Sequence, residues 1–310
     1  MDIIINSVLP VFAVIGLGYF LRKKGIVDDK IETFLNRFAY YFILPCMIFS
    51  SIYGLPFEKL FKPQIILSLY IAAGIGLVLA IAAAQLFEKN KRAAIVTTAY
   101  RSNTAYIGIP LILNAYGKEG VAKLSVLIGF TAPVLIILSI IYLNAMYKNS
   151  EKKENFLALI VKDPLVISCV VTLIFAYYNI PLPKFATNTI ELLGNMGAPL
   201  MLLAVGAGLR LTQIKKEAAA IGVVSAIKLF IVPVISFLVL KYLFPVTDKQ
   251  YFHVAVLTFA MPSALSTYVL VKQYVKNDEL CSAAITVSTV ISIFTISIWL
   301  YILNSTGLGL

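Results

Sequence analysis

The sequence predicts an all-α integral membrane protein, with ten transmembrane helices forming two inverted five-helix repeats whose broken fourth and ninth helices cross. Three observations lead there. Of 310 residues, 60% are hydrophobic and 13% charged, at a mean hydropathy of +0.91. A water-soluble chain of this length keeps its outer layer wet and has no use for so much apolar surface. The apolar residues come in continuous runs of about twenty, the length that crosses a hydrocarbon core of about 30 Å as helix. The prolines of the two halves recur at nearly one spacing.

The ten runs are 3–21, 34–53, 64–87, 94–116, 124–147, 164–180, 187–209, 218–244, 253–274 and 281–303. Backbone groups have no water partners in lipid, so continuous spans must be helices; a barrel would alternate polar and apolar residues along shorter segments. The first run is a spanning helix rather than a cleaved leader, because Asp2 precedes it and neither a basic flank nor a small-residue cleavage pattern is present. Lys and Arg concentrate after the odd-numbered runs, which puts those loops in the cytoplasm and both termini outside the cell membrane. Five helices are expected in 1–147, a cytoplasmic linker in 148–155, and five more in 156–310.

Pro10 and Pro164 are 154 residues apart, as are Pro45 and Pro199, while Pro110 and Pro262 are 152 apart. Because five is odd, the second half enters the membrane from the opposite side, the inverted design of many secondary transporters.

Several chemistries are excluded. Cys46, Cys169 and Cys281 are dispersed and His253 stands alone, so neither a metal site nor a catalytic triad is expected. No cofactor and no ATP-binding loop is expected, since no GxxxxGK[ST] string occurs. The net charge of +11 sits in short loops between apolar runs, so it points to a bilayer and not to nucleic acid.

The fourth run holds Arg101-Ser102-Asn103-Thr104 and then Gly108-Ile109-Pro110; the ninth holds Met261-Pro262-Ser263. A proline within a helix removes one hydrogen bond and crowds the preceding turn. Helices broken here would present half-helix N-termini, each carrying roughly half a positive charge and free amides suited to an anion. Asn103, Thr104 and Ser263 would add side-chain hydrogen bonds. The competing view is a pair of kinks that only shape packing. Arg101 either serves the site or reaches back to headgroups. Lys228, deep in the eighth run, either attracts an anion, or pairs with an acid or snorkels to the headgroups. The Ser and Thr residues of the tenth run read as packing contacts, and Glu191 as interfacial. No acidic residue lies at the centre of the fourth or ninth run, and no charged one between Lys62 and Glu88, so the coupling ion stays open.

Three strings in order resemble one family. Asn103-Thr104 with Gly108-Ile109-Pro110-Leu111 and Tyr116-Gly117, Asn36-Arg37-Phe38 with Leu44-Pro45, and Met261-Pro262 with Lys272 and Tyr274 are similar to motifs of the auxin efflux carrier family. The resemblance covers nearly the whole chain and is closest to bacterial permeases for malate or malonate. It implies a scaffold domain of helices one, two, six and seven, a transport domain of the rest, elevator-like motion and a homodimer. It also implies that Asn103 meets the substrate carboxylate between the prolines Pro110 and Pro262. An Asp/Lys pair near the start of helix three in plant members has no counterpart here, so auxin is not the expected substrate.

The resulting expectation is a secondary carrier for a small organic anion, a mono- or dicarboxylate, with Arg101, Asn103, Thr104, Gly108, Pro110, Lys228, Pro262 and Ser263 at its site. The alternative is a ligand-binding membrane receptor or sensor without transport. An intramembrane enzyme is not expected, because no nucleophile and base converge.

Overall fold

The structure, a computed structural model, describes residues 2–147, 160–211, 214–274 and 279–305. The expected linker 148–155 lies outside them. Besides the four-residue helical turn Phe57–Leu60, eleven helical stretches are described: α1 (Asp2–Lys23), α2 (Asp29–Ile52), α3 (Pro63–Ala84), α4 (Lys89–Tyr100), α5 (Thr104–Met146), α6 (Pro164–Tyr178), α7 (Lys184–Gly208), α8 (Ala218–Leu243), α9 (Lys249–Ala260), α10 (Ser266–Tyr274) and α11 (Glu279–Ser305). No strand occurs among the described residues, only one isolated bridge. Seven of the stretches are long and apolar enough to cross a membrane, and α6 is a shorter apolar helix. Within α5 the backbone turns at Gly117, whose φ of +68° is left-handed and suits a residue without Cβ. Two helices therefore meet there, as the fourth and fifth runs predict.

Local chemistry sets the helix starts. The Asp28 carboxylate accepts from the Ile31 amide at 2.8 Å. Asp163 accepts from the Leu165 and Val166 amides ahead of Pro164, and Asp248 accepts from Tyr251 at 2.9 Å. Each side chain satisfies amides that a helix N-terminus leaves open.

Prolines leave a second signature. Four π-helical turns occupy Ala39–Ile43, Thr104–Gly108, Ile227–Ile231 and Val239–Leu243. Each is centred four residues before a proline: Pro45, Pro110, Pro233 and Pro245. A proline has no N–H for the carbonyl four residues back and clashes with it; widening the turn relieves both problems at Pro45, Pro110 and Pro233 without ending the helix, whereas α8 ends just before Pro245. The amides of Leu44, Val232 and Phe244 accordingly donate five residues back, to Ala39, Ile227 and Val239. Trp299 Nε1 donates to the Leu229 carbonyl, opposite Pro233, at 3.4 Å.

The chain divides into two compact units. The first comprises Met1–Pro63, Ala105–Pro133 and Asn155–Gly208, and the second Gln64–Thr104, Val134–Glu154 and Leu209–Leu310. Each draws on both halves of the sequence.

In the first unit α1 packs on α7 and α2 on α6. Gly18 meets the Leu203 carbonyl and Gly206 the Ile15 carbonyl, with no room at either for a methyl group. Small residues let backbones approach this closely, which drives helix association where lipid is as apolar as leucine. Ser168 donates to the Pro45 carbonyl at 2.7 Å and Tyr40 to Asp163 at 2.6 Å, so two polar contacts hold α2 to the start of α6. Glu191 pairs with exposed Lys118, in line with an interfacial position.

In the second unit α4, α8, α9, α10 and α11 pack together. The Lys91–Glu217 ion pair, at 2.9 Å, ties the start of α4 to the residue before α8. Hydrogen-bonded to that carboxylate, the Lys91 ammonium is held above the ordinary lysine range. Leu9, Leu17, Val78, Val170, Phe294 and Tyr301 are among many large apolar side chains left exposed, a surface that suits lipid and not water.

Candidate functional site

The site lies in the second unit, where two helices stop and restart. One helix halts at Tyr100 and resumes at Thr104, and the other halts at Ala260 and resumes at Ser266. Each halt leaves the last turn's carbonyls without helical partners, and the other strand of the crossing supplies them.

Between the halts the two extended segments exchange backbone bonds. The Asn103 amide donates to the Pro262 carbonyl at 2.7 Å, and the Ala264 amide to the Arg101 carbonyl at 3.1 Å. Ser102 and Ser263 face each other as an antiparallel bridge. Ser263 Oγ donates to the Thr98 carbonyl at 2.8 Å, and Thr104 Oγ1 to the Thr258 carbonyl at 3.2 Å. Lys228 Nζ bridges the remaining side, donating to Ser102 Oγ at 2.6 Å and to the Phe259 carbonyl at 2.8 Å. The Ser263 amide donates to Ser288 Oγ of α11 at 3.3 Å.

The expected break in the fourth run falls at a different place. It occupies residues 101–103, ahead of Pro110, which lies inside the resumed helix. The proline's missing N–H is absorbed by the π turn at Thr104–Gly108, so Pro110 widens the helix without breaking it. In the ninth run Pro262 does sit within the break. The two breaks are therefore related by the Ser102–Ser263 bridge, 161 residues apart, and not by the 152-residue spacing of the prolines. Gly108 and Pro110 belong to the first unit, while Arg101, Asn103, Thr104, Lys228, Pro262 and Ser263 share the second.

Arg101 is 6% exposed and its Nη2 donates to Ser266 Oγ at 3.1 Å, at the first residue of α10. Lys228 is 0% exposed, and no ion pair among the described residues includes it. Arg101 thus stands at the electropositive N-terminus of α10, while the Lys228 ammonium caps the electronegative C-terminal end of α9 through the Phe259 carbonyl. The Asn103 side chain is 4% exposed and its Nδ2 has no hydrogen-bond partner. Nearby in sequence to the second break, Thr267 Oγ1 is also buried without one. Such groups cost stability and call for an explanation.

The sequence singled out neither Ser102 nor Ser288. Ser102 stands inside the quoted string, and its role depends on Lys228 arriving from α8. Ser288 belongs to the Ser/Thr series of the tenth run and looks like any other packing serine until the crossing meets it.

Residues 3–300 match the model of the family described as membrane transport protein. Over 98% of this chain and 97% of the relative, the chain is 27% identical to a Rhizobium meliloti protein named "Putative malonate transporter". It is 25% identical to an uncharacterized transporter of Methanocaldococcus jannaschii, covering 96% of this chain and 98% of that one. An uncharacterized Escherichia coli transporter is 24% identical over 96% of this chain and 97% of its own length. The chain is a transporter of the multi-pass membrane kind, not an enzyme, and it belongs to the membrane transport protein family, the auxin efflux carrier group that its motifs resemble.

Proposed function

We propose that this protein is a secondary carrier that moves a small organic anion, a mono- or dicarboxylate, across the cell membrane. The observation that carries this reading is the buried, unpartnered Asn103 amide at a crossing that holds Arg101 and Lys228. An anion would take up that donor and offset the buried positive charge, and the electropositive N-termini favour it further. Arg101, Asn103, Thr104, Lys228, Pro262 and Ser263 form the core of the site in this proposal, with Gly108 and Pro110 shaping the helix that leaves it. The name of the Rhizobium relative supports a dicarboxylate as the first candidate.

Ten crossings in two inverted repeats are part of the same proposal. The pairing of α1 with α7 maps onto that of α6 with α2 when the first half is laid on the second, which is what an inverted repeat requires. Both termini are placed outside, and alternating access is assigned to elevator-like movement between two bodies. The division of each sequence half between two compact units supports it. A homodimer remains what the resemblance implies.

Thermal-shift measurements on the detergent-purified protein with a carboxylate panel test the substrate class, since a ligand that binds the native state raises its apparent stability. Proteoliposome uptake of a radiolabelled carboxylate that stabilises the protein then tests transport. Stabilisation by a mono- or dicarboxylate with saturable uptake is expected. The absence of both stabilisation and uptake across the panel would remove the anion-carrier reading.

A further inference from the structure

We propose that the Lys228 ammonium is a tethered cation filling the cation position of the crossing, so that the carrier works without sodium. This rests on the anion-carrier reading and adds to it how the site is balanced.

Where membrane helices are interrupted, half-helix C-termini and unwound carbonyls are the places that coordinate a coupling cation, because the helix dipole makes that end electronegative. Here α4 and α9 supply two such ends at one crossing. Three of their carbonyls are already engaged by the protein: Thr98 by Ser263, Thr258 by Thr104, and Phe259 by Lys228.

The crossing is nearly symmetric, and Lys228 is where the symmetry fails. On one side Ser263 Oγ reaches the Thr98 carbonyl directly. On the other, the equivalent pair is Ser102 Oγ and the Phe259 carbonyl, and the ammonium lies between them at 2.6 and 2.8 Å. The Phe259 ring lies 5.6 Å from Nζ, close enough to add a cation–π contact. A hydroxyl oxygen, a carbonyl oxygen and a ring face are the surroundings of a monovalent cation. Lys228 itself sits on the π turn Ile227–Ile231 that precedes Pro233. The charge is therefore built into α8, held in place by the fold, and left to be balanced by the anion the crossing binds.

The test uses the full-length protein with malonate as the probe. Wild-type uptake into proteoliposomes, and the melting temperature in detergent, should be unchanged when sodium is replaced by choline. K228A should lower uptake by about tenfold or more, the loss of buried bonds to a charged donor. Propylammonium, which restores the deleted atoms, or sodium should raise the melting temperature of K228A and leave the wild type unmoved. A wild-type protein that requires sodium, or K228A at the wild-type rate, would overturn the proposal. Should K228A fail to fold, K228Q keeps donors for Ser102 and Phe259 while removing the charge; slow uptake is expected, and a wild-type rate would overturn the proposal. If wild-type protein neither binds nor moves malonate, the substrate assignment fails separately. The sodium and alkylammonium shifts of K228A still decide the role of the ammonium.

Discussion

Replacing Asn103 by Ala should separate stability from binding. In most buried positions, truncating an asparagine breaks hydrogen bonds and destabilises the fold. Here Nδ2 has no partner to lose. A buried donor left unsatisfied costs about 1–3 kcal/mol, and deletion recovers that cost. The small void left behind offsets part of the gain. The backbone bond from the Asn103 amide to Pro262 survives the substitution. The melting temperature of N103A without ligand should therefore equal or slightly exceed that of wild type. Binding should behave in the opposite way: a hydrogen bond to a carboxylate contributes about 1.5–3 kcal/mol, so affinity should fall roughly tenfold to a hundredfold. The assay is thermal unfolding in detergent across a carboxylate titration, which reads both quantities in one experiment. A variant that unfolds well below wild type while keeping the full carboxylate-dependent rise would refute the reasoning, because Asn103 would then be a structural residue.

Three other substitutions test the frame around the site. Ser263→Ala removes the donor to the Thr98 carbonyl and should cost about 1–3 kcal/mol, lowering both the melting temperature and uptake. Gly206→Ala places a methyl 2.8 Å from the Tyr19 nitrogen and closer still to the Ile15 carbonyl. Parting α1 from α7 should cost about 1–3 kcal/mol or more in thermal unfolding, with carboxylate affinity in the folded fraction unchanged. Glu217→Gln removes the partner that raises the Lys91 pKa. Because the folded value is the higher one, the pair's contribution is full below the ordinary lysine range and fades as pH climbs through the raised value. The variant should be less stable than wild type at neutral pH, and the difference should shrink at strongly alkaline pH.

Much of the frame was legible from hydrophobic runs, because lipid imposes continuous apolar helices and permits few alternatives. The predicted runs 64–87 and 281–303 fall within a few residues of α3 and α11. The turn at Gly117 lies between the fourth and fifth runs as expected. The break in the fourth run was not placed correctly, because proline has two outcomes that sequence does not distinguish. Pro262 stands in a true interruption; Pro110, Pro45 and Pro233 only widen a turn, and Pro245 follows the end of α8. What decides between them is whether another segment offers partners for the freed backbone. Arg101–Asn103 stop being helical where Pro262 and Ala264 meet them, a contact between residues some 160 positions apart. For the same reason Asn103 could be named from its motif, whereas Ser102, Ser266 and Ser288 acquire roles only through Lys228, Arg101 and Ser263.

The sign of the proposed ligand follows from which half of the backbone's hydrogen-bonding capacity remains unused. A broken helix exposes acceptors at the end of its first half and donors at the start of its second. At this crossing Thr98, Thr258 and Phe259 each accept from a side chain, and Arg101 and Pro262 each accept from a backbone amide. These five acceptors are thus spent on holding the crossing together. What is left over is donor capacity at Asn103 and the positive charge of Lys228, with buried Arg101 next to them in the chain. A free cation entering such a site would meet the like charge of Lys228, whereas a carboxylate would meet complementary groups. Adding a carboxylate at Ser102, through Ser102→Asp, should therefore pair with Lys228 and cancel the charge held for the anion. That variant should fold, since the new ion pair replaces the existing contact at 2.6 Å. Its carboxylate-dependent thermal shift should be lost, and a shift of wild-type size would show that the charge of the crossing has no part in binding.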